Sequence, residues 1–70
     1  MAKKIKKVNG LVIAELSEKD RKDQWGVDGI EMADRYQVYT KDEWDQPQGF
    51  RYPEMGCDSL AEAIGFAECY

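Results

Sequence analysis

Residues 3–16 read KKIKKVNGLVIAEL, with Asn9-Gly10 at the centre of two segments that carry apolar residues. Asn-Gly is the strongest short signal for a β-hairpin, because both residues tolerate the positive φ angles of a two-residue turn. The stretch therefore predicts strands over residues 3–8 and 11–16. We therefore expect the chain to begin with an antiparallel pair of strands, to which the remaining elements are added.

The register of this hairpin is imperfect. With a two-residue loop, Lys4 faces Glu15, while Lys6 lies opposite the apolar Ile13 on the same face. The broken alternation predicts a bulge or an edge strand. Lysines along a first strand are a common means of discouraging aggregation between sheet edges.

The middle of the chain predicts a short helix and a third strand. Ser17 begins a highly charged helix that Gly26 ends, although a surface turn or a mobile loop fits the same composition. Apolar residues then recur with a period of two over residues 30–38, and residues 35–40 are the firmest part of this strand. A helical turn is the alternative for residues 31–34.

The next elements are shorter. Thr40 with Glu43 forms a weak helix-capping signature, and residues 45–49 have the composition of a loop. Gly49–Tyr52 predicts a fourth strand, which Pro53 ends because proline cannot donate a hydrogen bond to a ladder.

The last segment predicts an amphipathic helix capped by Asp58 or Ser59, with Glu62 completing a Ser-x-x-Glu box. Its apolar stripe consists of Leu60, Ala63, Ile64 and Ala67. We expect Gly65 to allow a close approach of helix and sheet. The element order predicts a single α+β domain over residues 1–70, with an antiparallel sheet of about four strands covered by the C-terminal helix.

The distribution of charge along the chain indicates which classes of binding partner are compatible with it. The chain has 70 residues and a net charge of −4, and residues 1–7 contain four lysines and no acid. Residues 8–70 hold six basic and fourteen acidic residues, a net charge of −8. Such an acidic body argues against nucleic-acid binding and against anionic membranes, and it favours a neutral or basic protein partner. A homodimer is an open alternative, because a small sheet leaves a pairing edge.

The two cysteines, Cys57 and Cys69, flank the predicted C-terminal helix. A helix rises about 1.5 Å per residue, so their Cα atoms are roughly 15 Å or more apart, beyond the ~7 Å limit for a disulfide. Two free thiols, with no apolar run of transmembrane length and no signal peptide, lead us to expect a cytoplasmic protein.

Catalytic and metal chemistry have little support in the sequence. Histidine is absent, which removes the commonest general base and the commonest neutral metal ligand. Cys57 precedes a helix, but the neighbouring acids Glu54 and Asp58 raise a thiol pKa. No calcium loop or phosphate-binding glycine loop is present. We therefore expect no enzyme activity, no cofactor and no metal.

Aromatic residues beside acids and arginine have the composition of protein interfaces. The predicted partner-binding residues are Trp44, Trp25, Tyr39, Phe50 and Arg51. Tyr36 and Tyr52 belong to the same aromatic group. Core packing is the competing interpretation for each, because a chain this short needs aromatic residues in its core.

The stretch Tyr52–Ile64, YPEMGCDSLAEAI, resembles the strand-to-helix passage of HicB-type antitoxins, in which Pro-x-x-x-Gly-Cys leads into a Leu-x-Glu-Ala helix; here two residues separate Pro53 from Gly56. It covers about a fifth of the chain and lacks the strand that this family has between Gly-Cys and the helix. More loosely, the chain is similar to small acidic accessory proteins of phages and mobile elements. We expect a protein-interaction module or inhibitor that masks a larger partner, with a homodimeric antitoxin-like regulator that contacts nucleic acid through the lysine-rich strand as the alternative.

Overall fold

The chain folds into a four-stranded antiparallel sheet with a helix across one face, as described by a computed structural model for residues 3–47 and 50–70. The strands follow each other in sequence order across the sheet. This arrangement confirms the predicted α+β fold. In chain order the elements are β1 (Lys3–Val8), β2 (Leu11–Glu15), α1 (Glu18–Trp25), a 3-10 turn (Ile30–Met32), β3 (Tyr36–Tyr39), α2 (Lys41–Trp44), β4 (Met55–Cys57) and α3 (Leu60–Glu68).

The N-terminal hairpin contains the bulge that its sequence predicted, and β1 is also an edge strand. Lys6 pairs with Ile13 as expected. The expectation that Lys4 faces Glu15 is wrong, since Lys4 pairs with Ala14. One extra residue between Lys4 and Lys6 shifts the register, because two residues of β1 there oppose one residue of β2.

The charged segment after the hairpin is a helix. Ser17 caps α1, with its side chain accepting from the Asp20 backbone N–H at 3.2 Å and the Asp20 carboxylate accepting from the Ser17 N–H at 3.0 Å. Lys22 lies 3.3 Å from Glu18, one turn away. Gly26 ends the helix with φ 77°, in the left-handed region that glycine adopts without a steric penalty.

The two later helices begin at the predicted caps. Thr40 Oγ1 accepts from the Glu43 N–H at 3.2 Å, and Ser59 Oγ accepts from the Glu62 N–H at 3.1 Å. The expected role of Gly65 is wrong, because a Cβ at this position meets no atom within 4 Å. Gly65 therefore faces open space and does not mediate close contact with the sheet.

The main core lies between the sheet and α3. Its largest fully buried side chains are Ile13 and Val38, which pair across β2 and β3. Alanines on α3 bring this helix close to them. The buried members of this core are Leu11, Ile13, Val38, Cys57, Ala63 and Ala67.

The fourth strand is not where the sequence placed it. Gly49 lies outside the described residues, and Arg51 and Tyr52 are in irregular backbone. The strand that pairs with β3 is β4, beyond Pro53, with Met55 opposite Val38. The physical reason lies in the backbone partners: the Phe50 N–H donates to the carbonyl of Pro47 at 2.8 Å and the Tyr52 N–H donates to Glu43 Oε1 at 3.1 Å, so neither pairs with a neighbouring strand.

Candidate protein-interaction surface

The sheet face opposite α3 carries a second, smaller cluster. Val12, Ala14 and Tyr39 are buried there, and Trp44 packs against them. Cross-strand pairing places Val12 next to Tyr39, so the two side chains share this face. The single turn α2, which Thr40 caps, contacts both β2 and β3 and brings Trp44 onto the cluster.

Trp44 links this cluster to the chain that follows. Its ring centroid is 5.4 Å from that of Tyr39, with the planes tilted by 57°. The Arg51 guanidinium carbon lies 4.0 Å from the centroid of the Trp44 ring, within the range of a cation–π contact. Arg51 Nε also donates to the Gln46 carbonyl at 3.0 Å. The arginine is thus held by two contacts and is partly buried.

The backbone on either side of Arg51 is fixed to the rest of the fold. The Tyr52 N–H donates to Glu43 Oε1 at 3.1 Å, and the Glu54 N–H donates to the Val38 carbonyl at 2.7 Å. The Phe50 N–H donates to the Pro47 carbonyl, as described above. Residues 50–54 are therefore positioned by hydrogen bonds without being part of a strand.

Two aromatic side chains project from this fixed backbone into solvent. Phe50 is 68% exposed and Tyr52 is 75% exposed. We call Trp44, Phe50, Arg51 and Tyr52 the aromatic surface. Aromatic and arginine side chains are typical of the residues that dominate binding energy at protein interfaces.

A polar chain lies behind the aromatic surface on the same sheet face. The Tyr39 hydroxyl donates to Gln37 Oε1, and Gln37 Nε2 donates to the Asp34 carboxylate at 3.4 Å. Burial raises the pKa of Tyr39, with Arg51 opposing that shift. Gly56 leaves room for this chain, because a Cβ at Gly56 overlaps the carboxyl group of Asp34.

Of the five predicted partner-binding residues, Arg51 lies over Trp44, and Phe50 is exposed directly before Arg51 in the chain. Tyr39 contacts the same cluster but is only 5% exposed, so its ring belongs to the core. The side chain of Trp25 lies outside the described part of the structure. Tyr52 is not among the predicted partner-binding residues, and its position directly before Pro53 is the sequence signal that it lies outside a ladder.

A pocket beside α1 has less to recommend it as a binding site. A pocket of about 120 Å³ is lined by Glu15, Leu16, Glu18, Arg21, Arg35 and Tyr36. Arg21 uses one guanidinium nitrogen to donate to the Ile30 carbonyl at 2.9 Å, which ties α1 to the 3-10 turn, while its buried Nε has no partner. Acids and arginines share this pocket, so it has no net charge to select a ligand.

Cys57 is a poor nucleophile. Both cysteines are free, with Cys57 buried and Cys69 exposed. Burial raises the pKa of the Cys57 thiol, which donates to the Ser59 carbonyl at 3.3 Å. Across residues 3–47 and 50–70, no group of three or more metal-ligating side chains comes together, and no helix is long and apolar enough to cross a membrane.

Comparison with known proteins adds no function. No protein-family model, no curated protein and no solved structure matches the chain. Function is therefore inferred from the geometry of the chain itself.

Proposed function

We propose that this protein is a non-enzymatic interaction module that binds a larger protein through the aromatic surface and masks part of that partner, as an inhibitor or accessory protein does. The proposed setting is a reducing cytoplasm, in which Cys57 and Cys69 remain thiols. Absence of histidine from the sequence and the raised pKa of Cys57 support a function without catalysis.

The observation that carries the proposal is the exposure of Phe50 and Tyr52 on a backbone held by hydrogen bonds. A chain of this size has little apolar surface to spare from its core. Two large aromatic side chains exposed two residues apart are therefore available to a partner. Because their backbone is already ordered, binding costs less conformational entropy than it would on a flexible loop.

Charge around the aromatic surface indicates the chemistry of the partner. Asp42, Asp45 and Glu54 are exposed and close in the chain to its members, and they outnumber Lys41 and Arg51 there. The partner that fits best has an apolar pocket for the two rings and a basic rim. The acidic body of the chain also steers it toward such a surface.

Affinity capture from a lysate of the source cell tests the proposal. The protein is compared with a Phe50→Ala/Tyr52→Ala variant, and the captured partner is identified by mass spectrometry and titrated. We expect the variant to bind at least roughly 30-fold more weakly, the loss expected for a hot spot of about 2 kcal/mol.

The matched control is Met32→Ala/Tyr70→Ala. These side chains are 72% and 61% exposed, so the control removes similar apolar surface from elements outside the aromatic surface. The control is expected to bind the partner as tightly as the unmodified protein. Equal capture by all three proteins, or equal loss in both variants, would show that the aromatic surface is not the interface.

A further inference from the structure

The outer edge of β1 is the longest open edge of the sheet. In the described fold β1 is a terminal strand of six residues, whereas the opposite terminal strand, β4, has three. Residues 3–7 are exposed and Val8 is only partly buried. Such an edge presents unpaired backbone N–H and C=O groups to solvent.

The bulge distributes the lysines of this edge over both faces of the sheet. Cross-strand partners point to the same face, and successive residues of β2 alternate between faces. Two lysines therefore lie on the α3 side and two lie on the opposite side. The pairs are Lys3–Glu15 and Lys6–Ile13 on the α3 side, and Lys4–Ala14 and Lys7–Val12 on the other.

We propose that the outer edge of β1 binds an acidic, extended segment of a partner protein, which adds to the sheet as a fifth strand. An added strand also alternates its side chains between the two faces, so acids on both faces reach all four lysines. Opposite charges in cross-strand positions stabilise the pairing. This surface is separate from the aromatic surface.

The charge of the β1 edge favours an acidic strand over a second copy of the chain and over nucleic acid. A second copy of the chain would place its own lysine-rich β1 against this one, and like charges directly opposite are destabilising. A nucleic-acid backbone lying on one face of the sheet would reach two of the four lysines, and the acidic remainder of the chain repels it. The lysines that discourage self-pairing thus favour an acidic strand.

The hairpin geometry identifies the backbone groups that the added strand engages. Asn9 and Gly10, with φ 51° and 80°, form a two-residue turn that hydrogen-bonds Val8 to Leu11. Because antiparallel residues alternate between bonded and non-bonded pairs, Lys7 turns its N–H and C=O to the open edge. An added strand would hydrogen-bond to the Lys7 N–H, so hydrogen exchange of this amide reports strand addition.

The test uses synthetic peptides and the whole protein labelled with ¹⁵N. The peptide TVEEVEEVT places two glutamates on each face of an extended strand, and TEVEVEVET has the same composition with all four on one face. We expect the first peptide to bind about tenfold more tightly at low ionic strength and to slow hydrogen exchange of the Lys7 amide at least tenfold. A version of the first peptide with proline at the central valine is expected to lose that protection.

Two variants of equal net charge distinguish binding at the β1 edge from non-specific electrostatic attraction. Lys4→Gln/Lys6→Gln/Lys7→Gln is expected to weaken binding of the first peptide about tenfold, whereas Lys19→Gln/Lys22→Gln/Lys41→Gln, with the same net charge, is expected to change it less than threefold. Equal effects of the two variants overturn the proposal. So does tight binding of the proline peptide, or lysine-dependent binding of a single-stranded oligonucleotide without any peptide-induced protection at Lys7.

Discussion

Replacing Trp44 with alanine is expected to destabilise the fold substantially. Removal of a fully buried Phe or Trp side chain costs about 3–5 kcal/mol, and we take about half of that for the partly buried Trp44 ring. Its contacts with Tyr39 and Arg51 add about 0.5–1 kcal/mol each. The total, about 3 kcal/mol, approaches the whole stability of about 3–5 kcal/mol expected for a chain of this size.

Urea unfolding followed by circular dichroism measures this loss. Trp44→Ala is expected to move the midpoint to much lower urea, whereas Phe50→Ala is expected to stay within about 0.5 kcal/mol of the unmodified protein because its ring is exposed. Trp44→Phe keeps a ring against Tyr39 and is expected to recover about half of the lost stability. A loss below about 1 kcal/mol for Trp44→Ala would refute its packing against the smaller cluster.

Three further substitutions and modifications test the local geometry. Gly56→Ala is expected to destabilise the protein by about 1–2 kcal/mol, because its Cβ displaces the Asp34 carboxyl group. In a double-mutant cycle measured by urea unfolding, adding Asp34→Ala is expected to recover part of that loss. Gly65→Ala is expected to raise the free energy of unfolding by about 0.5–1 kcal/mol, since its Cβ enters open space on a helix; a lower melting temperature would contradict that placement. Iodoacetamide near pH 7 is expected to modify Cys69 well before Cys57, because burial raises the pKa of Cys57 and lowers its thiolate fraction; peptide mapping that finds equal rates would show that Cys57 is accessible.

Local signals in the sequence predicted the elements that depend on local physics. Asn9-Gly10 fixes a hairpin because its φ angles suit only a few residues, and Ser17 and Ser59 begin helices because their side chains satisfy free backbone N–H groups. The bulge in β1 was predicted as one of two explanations for broken alternation. The predicted pairing of Lys4 with Glu15 was wrong, because it assumed a regular ladder and the extra residue of the bulge shifts Lys4 to Ala14.

The strand predicted at Gly49–Tyr52 failed because its conformation depends on distant partners. Its place between a loop and Pro53 favoured a strand, but the Tyr52 N–H bonds to Glu43, nine residues earlier, and not to a ladder. The Arg51 side chain lies over Trp44, a contact that no local pattern encodes. The aromatic surface was therefore predictable as a set of residue types, while its geometry depended on tertiary contacts.

Strand register also explains how the aromatic residues divide between core and surface. Tyr39 pairs with the buried Val12 and so lies inside the smaller cluster, while Phe50 and Tyr52 are exposed and their N–H groups bond outside the ladder.

The same register places the two proposed surfaces side by side. Lys7 pairs with Val12, Val12 pairs with Tyr39, and Trp44 packs against the latter two, so strand spacing puts Lys7 about 10 Å from Tyr39 on one sheet face. A strand added to β1 lies one further strand spacing out, about 15 Å from Tyr39, a distance that a single partner protein can span. If one protein occupies both surfaces, the lysine and aromatic variants each weaken capture of the same protein; if two proteins do, each variant loses a different one.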